Sequence, residues 1–179
     1  MIGLGKCAVV VVAALLIGYV AGTEVTRGDI ASAAGHFDSA KVMHVGVVVK
    51  DIEKTSKMYA TLLGIAPPKI GAAPPGFVWS TGFNADPKGT LKYVQIPFGN
   101  TVIELAEPVG GASPWRNFLD KHGEGIHHVA FGVPDRDATA QLLQSNGGKM
   151  EFSTPTGPVY VNAEGQTGFT FELFKADNK

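Results

Sequence analysis

Two hydrophobic periodicities take turns along residues 41–179. VMHVGVVV (42–49) reads as a strand, and Ile52, Met58, Tyr59, Leu62 and Leu63 then recur at roughly helical spacing up to Gly64, a natural helix terminator. Strand-like runs follow at FVWSTGF (77–83), LKYVQIPF (91–98) and TVIELAEP (101–108), broken by the turn-former Asp86-Pro87-Lys88-Gly89. The same order then returns. IHHVAFGV (126–133) reads as a strand, Ala138, Leu142 and Leu143 mark a helix that closes at Gly147-Gly148, and KMEFST (149–154), VYVNA (159–163) and FTFELFKA (169–176) are strand-like. The pattern predicts an α+β chain built from a βαβββ unit used twice.

Superposing the two copies pairs His44 with His128, Val45 with Val129, Val49 with Val133, Asp51 with Asp135, Thr55 with Thr139 and Gly64 with Gly148. Asp51 and Asp135 each end a β-rich run and open a helical one, so both are expected to be helix N-caps. Alternation then sorts side chains by face. His44, Gly46 and Val48 oppose Met43, Val45, Val47 and Val49; His128, Ala130 and Gly132 oppose His127, Val129, Phe131 and Val133. Glu104 opposes Ile103 and Leu105, and Glu172 opposes Phe171 and Leu173. The bulky faces are expected to pack on helices. The other faces carry two histidines and two glutamates, and His127, the counterpart of Met43, is expected to point away from them.

Residues 1–40 break this pattern. MIGLGK precedes CAVVVVAALLIGYVA, an uncharged run behind one lysine, and polar residues begin at Thr23. Cys7 to Ala21 falls short of the roughly 20 apolar residues of a spanning helix and suits an export signal, whereas counting from Ile2 reaches the length of an uncleaved anchor. A buried core helix is the remaining reading. Val20-Ala21-Gly22 and Ala31-Ser32-Ala33 are both cleavable small-residue sites. The expectation is a signal peptide or anchor plus linker over residues 1–40, then one folded domain over residues 41–179 with modules near 41–110 and 122–177. The protein would be exported, to periplasm or medium, or held at a membrane by residues 1–22.

Composition narrows the chemistry. Fifteen basic against sixteen acidic residues leave a formal charge of −1, which gives no footprint for gripping a phosphate backbone and argues against nucleic acid. Cys7 is the single cysteine, so an intrachain disulfide and a cysteine-held zinc site are both excluded. Any metal must be held by histidine and carboxylate. A lone histidine in an apolar strand is ordinarily a satisfied core residue. His44, Glu104, His128 and Glu172 are a stronger signal, because they fall at matching places in two repeats. A carboxylate inside an apolar strand costs several kcal/mol unless it is paired or metal-bound, and these strands offer no basic residue at the matching depth. Ion pairing among the four would answer that cost, and so would a divalent first-row ion with up to two positions left for substrate.

Smaller signals surround these residues. Ser113-Pro114 reads as the N-cap and first residue of a short helix through Lys121. Arg116, Lys121 and His122 beside it either meet a substrate phosphate or form a solvated face. Trp79 and Trp115 read as packing residues.

With these residues in view, the chain resembles the vicinal oxygen chelate superfamily, also called the glyoxalase and bleomycin-resistance fold, over about residues 42–175. Within it, GNTVIELAEPVGGASPWRNFLDKHGEGIHHVAF (99–131) is most similar to the methylmalonyl-CoA epimerases, where an E-L-x-x-P strand end, a Ser-Pro helix start and a G-x-H-H strand follow in this order. The resemblance implies a cupped mixed sheet around a divalent ion (Co, Mn, Zn or Ni) held by His44, Glu104, His128 and Glu172, and a homodimer. It implies a small-molecule substrate with vicinal oxygens, acyl-CoA-like or hydroxy-carbonyl, whose carbon loses and regains a proton through a metal-stabilised enediolate, with Glu104 and Glu172 as the candidate catalytic carboxylates. A glyoxalase-type lactoylglutathione lyase, an extradiol dioxygenase and a metal-free small-molecule-binding protein are the alternatives on the same scaffold. Lys6 ahead of the apolar run would place the domain outside the cell, where CoA thioesters are not found. Either residues 1–22 anchor a domain that stays inside, or the scaffold serves another substrate.

Overall fold

The computed structural model describes residues 35–37, 40–73 and 89–176. The apolar run expected to be a signal or anchor lies outside them, as do Trp79 and FVWSTGF; among the described residues no helix is long and apolar enough to cross a membrane. The first module comprises β1 (Lys41–Val48), α1 (Ile52–Leu63), β2 (Gly71–Ala72), β3 (Thr90–Phe98) and β4 (Thr101–Val109). After α2 (Pro114–His122), the second comprises β5 (Gly125–Val133), α3 (Arg136–Ser145), β6 (Lys149–Ser153), β7 (Val159–Asn162), the single turn α4 (Glu164–Thr167) and β8 (Thr170–Lys175). The βαβββ unit therefore occurs twice. Its second strand in module one is β2, paired with β3 through Gly71 and Tyr93.

One mixed sheet runs in the order β2-β3-β4-β1-β5-β8-β7-β6. Each module pairs its first and last strands in parallel, and the modules join where β1 meets β5 antiparallel. That seam has a local pseudo-dyad at the pair Val45 and Val129: His44 lies opposite Ala130 on one side of it and Gly46 opposite His128 on the other.

Local chemistry sets the helix starts as expected. The Asp51 and Asp135 carboxylates accept from the backbone N–H groups of Lys54 and Ala138 at 2.9 and 3.0 Å, and Ser113 caps α2. The inward stripe of α1 differs from the expected one. Met58 and Leu62 are 53% and 81% exposed, while Ile52, Ser56 and Ala60 face the sheet. The small side chains at 56 and 60 allow close approach to β3 and β4, and Met58 and Leu62 are turned outward.

Three apolar clusters hold the sheet. Val49, Ile52, Val94, Ile96 and Leu105 pack beneath α1, and Val133, Ala140, Val159, Val161 and Leu173 beneath α3. Phe37 extends the second of these, edge-on to Phe131 at 6.0 Å. The third cluster fills the opposite face: Val48, Leu91, Ala106, Trp115, Leu119, Phe152 and Tyr160, with α2 supplying Trp115 and Leu119.

The expectation that His127 points away from this face is overturned. The register passes from Gly46 opposite His128 to Val47 opposite Ile126, so His127 is the extra residue of a β-bulge. A bulge breaks the strict alternation of faces. The His127 ring accordingly packs against Trp115, Phe118 and Tyr160, at centroid distances of 6.3, 5.1 and 6.3 Å. Met43, its counterpart, occupies the symmetric bulge in β1.

Candidate metal centre and cavity

The topology brings the four candidate residues together from four adjacent strands. Glu104 on β4 lies in register with Gly46, and Glu172 on β8 with Ala130, so each glutamate sits one strand away from the seam that carries both histidines. His44, His128 and Glu172 are buried, with His128 fully so; Glu104 is 9% exposed.

Three atoms converge. Glu172 Oε2 is 2.7 Å from His44 Nε2 and 3.3 Å from His128 Nε2, and the two ring nitrogens are 3.2 Å apart. Glu104 Oε1 stands farther off, 3.8 and 3.9 Å from the same nitrogens. Two imidazole nitrogens this close cannot both carry protons, so at least one lone pair points into the cluster. Glu172 Oε2 is buried and receives no well-aligned hydrogen bond despite these neighbours. Donors bound to one ion at about 2.1 Å and at right angles would lie about 3.0 Å apart, which suits the three separations. The donor set of two imidazoles and a carboxylate fits a divalent first-row ion, and among the described residues His44, His128 and Glu172 form a group that could hold one.

A second layer, which the strand pattern did not reveal, steadies the glutamates. Tyr160 donates its hydroxyl proton to Glu172 Oε1 at 2.5 Å, and Gln95 Nε2 donates to Glu104 Oε2 at 3.3 Å. Both donors sit directly across the ladder from their glutamates, Tyr160 on β7 and Gln95 on β3. The two positions are equivalent in the two modules through the ladder alone, since Gln95 precedes Glu104 by nine residues and Tyr160 precedes Glu172 by twelve, so no fixed spacing in the sequence marks them.

Electrostatics distinguish the members. Burial opposes the charge on Glu172, but the fields of His128 and His44 and their contacts with it prevail and hold its pKa at about 2. Burial likewise opposes protonation of His44, while Glu172 and Glu104 beside it raise its pKa overall. Burial and the neighbouring glutamates push the Tyr160 phenol well above its ordinary range, so it remains a donor. Burial, with His128 nearby, depresses the His127 pKa and keeps that ring neutral.

The cluster opens on a cavity of about 270 Å³ lined by Leu91, Gln95, Glu104, Trp115, Tyr160 and Glu172 among others. Trp115 thus packs the core, as expected, and walls the cavity too. Arg116 is tied to the Pro108 carbonyl at 2.5 Å, and Lys121 and His122 both pair with Glu164, at 3.7 and 2.9 Å. These three side chains are engaged away from the cavity.

Comparison with known proteins agrees with this architecture. Residues 43–171 match the profile of the Glyoxalase/Bleomycin resistance protein/Dioxygenase superfamily. The chain is 31% identical over 111 residues to the ethylmalonyl-CoA/methylmalonyl-CoA epimerase of Cereibacter sphaeroides, covering 62% of this chain and 73% of that protein. It is also 31% identical over 105 residues to the mitochondrial methylmalonyl-CoA epimerase of Mus musculus, covering 58% of this chain but only 52% of that one. Among solved structures, a methylmalonyl-CoA epimerase in complex with methylmalonyl-CoA and NH4+ superposes with a TM-score of 0.53 at 21% identity, over 78% of this chain and 96% of the other. The paired modules, the sheet they share and the matched residues all lead to the same assignment: this chain belongs to the Glyoxalase/Bleomycin resistance protein/Dioxygenase superfamily.

Proposed function

We propose that the protein is a metal-dependent epimerase acting on a carboxyacyl thioester of the methylmalonyl-CoA kind. The observation that carries this reading is the convergence of His44 Nε2, His128 Nε2 and Glu172 Oε2 within 3.3 Å of one another beneath the cavity, with a second carboxylate, Glu104, beside them. The names of the similar proteins support the substrate class.

His44, His128 and Glu172 are the residues that would hold the ion. When bound, a divalent ion there would polarise two neighbouring substrate oxygens and stabilise the negative charge that develops as a proton leaves the carbon beside them. Glu172, with its pKa at about 2, stays ionised and is a poor proton acceptor near neutral pH. Glu104 is the freer carboxylate and lines the cavity, so it takes the proton. Protonation of the other face of the flattened carbon by solvent at the cavity mouth inverts its configuration, and Glu104 then gives up its proton to solvent, which restores the starting state. Apolar walls from Leu91, Trp115 and Phe152 limit water around the reacting carbon and strengthen each charge interaction there.

Metal analysis tests the first half of this reading. The purified chain, stripped with chelator and offered Co, Mn, Ni or Zn, should take up about one equivalent of at least one of them. Uptake below about a tenth of an equivalent for all four would remove the metal reading.

A further inference from the structure

We infer that His127 is a positioning residue for His128: its Nδ1 accepts the His128 Nδ1–H and so fixes the tautomer that leaves the His128 Nε2 lone pair turned into the cluster. The inference rests on the metal reading above and adds to it a second histidine that touches neither ion nor substrate.

The geometry starts with the bulge. In a regular strand, neighbouring side chains point to opposite faces. The bulge at residue 127 brings the two rings together, with Nδ1 of His127 3.0 Å from Nδ1 of His128 and the ring centroids 5.2 Å apart. His127 is 3% exposed and His128 0%, so solvent is a poor substitute partner for either nitrogen. A neutral imidazole has one N–H, and a nitrogen that binds metal must be the other one. With Nε2 of His128 aimed at Glu172 and His44, its proton belongs on Nδ1, where a buried donor needs an acceptor. His127 Nδ1 is at the right distance to be that acceptor. Trp115, Phe118 and Tyr160 hold the His127 ring in place.

The repeat supplies an internal comparison. Met43 occupies the same bulge beside His44, yet it is 43% exposed and lies near the position of Gly132, so it offers His44 no comparable partner. Among the described residues, the bulge position therefore supplies an outer partner in module two and not in module one. Outer partners of metal-binding histidines typically change metal affinity by about 10–100-fold.

Two measurements test the role. Wild type, His127→Phe, which keeps aromatic bulk, and His127→Asn, which restores an acceptor near the Nδ1 position, are titrated with Zn2+ or Co2+ alone against a chromophoric chelator. Long-range 1H–15N NMR of the chelated proteins above neutral pH reads the His128 tautomer directly. The expected result is Nδ1–H on His128 in wild type and His127→Asn, and metal binding weakened about 10–100-fold in His127→Phe with recovery in His127→Asn. Wild-type affinity in His127→Phe would overturn the inference while leaving the metal reading intact. An Nε2–H tautomer in the wild type would overturn it as well, and that reading does not depend on any variant folding. A wild type that binds no metal would instead overturn the reading on which the inference rests, and the inference with it.

Discussion

Gly46 gives His128 its place. A Cβ added at Gly46 would fall 1.9 Å from Cε1 and 2.1 Å from Nε2 of His128, so the imidazole occupies the volume that any other residue at 46 would fill. The two residues pair directly across the seam between β1 and β5, which makes the backbone of one module the floor beneath a candidate ligand of the other.

Gly46→Ala should therefore act on the site more than its single methyl suggests. Overpacking of this kind costs about 1–3 kcal/mol, and here relief requires His128 to move. The variant should unfold at lower denaturant than wild type and bind metal more weakly. Unchanged stability together with unchanged metal affinity would mean that the ring moves aside without consequence.

Glu104 and Glu172 should separate cleanly by substitution. Glu104→Gln keeps shape and the Gln95 neighbour, so the fold and most metal affinity should survive, while turnover of methylmalonyl-CoA falls by about a hundredfold or more, the usual contribution of a general base. Glu172→Gln should instead lose metal affinity, because it removes the anionic member of the converging trio. Steady-state kinetics and metal titration of both variants check the division. Equal loss of metal in the two, with no separate effect of Glu104 on turnover, would reject it.

The same charges predict how the chelated protein responds to pH. Glu172 has its pKa depressed from 4.5 to about 2 in the fold, so the stabilisation from its ionised form is present above the unfolded value and is lost as pH falls through about 2. The gap corresponds to something on the order of 3 kcal/mol. His44 has its pKa raised above 6.5, so its contribution is full below the unfolded value and is lost as pH rises through the folded one. His127, whose pKa burial lowers, contributes stability that is present above the ordinary histidine value and is lost as pH falls below it. Stability of chelated protein should therefore peak near the ordinary histidine value, between the His127 and His44 limbs, and Glu172→Gln should flatten only the most acidic part of the profile. Urea unfolding across the range from about pH 2 to pH 9 would reveal the peak. Stability that rises steadily from acid through pH 9 would contradict the assignment for His44.

Much of this arrangement is legible from period-2 and helical patterning, and the exceptions have physical causes. The doubled βαβββ unit, the caps at Asp51 and Asp135 and the placing of His44, Glu104, His128 and Glu172 on four adjacent strands follow from local periodicity read through the repeat, whereas the close approach of His44, His128 and Glu172, with Glu104 standing off, does not. The orientation of His127 does not, because a bulge is a property of how two strands pair and leaves no mark on one strand alone. Gln95 and Tyr160 escaped for a related reason. Their roles depend on which residue lies across the ladder, and pairing register is set by long-range packing. On α1, Met58 and Leu62 matched a helical period, but the buried stripe runs through Ser56 and Ala60, where closeness to the sheet outweighs hydrophobicity.

The central claim, proton exchange at a substrate carbon that depends on this site, is tested most directly by incubating the metal-loaded chain with methylmalonyl-CoA in D2O and following deuterium at the carbon between the two carbonyl groups. The account predicts incorporation together with loss of a single configuration, abolished by chelation, restored by adding back the metal, and reduced by about a hundredfold or more in Glu104→Gln. A metal-loaded protein that leaves both the isotope content and the configuration unchanged would contradict it.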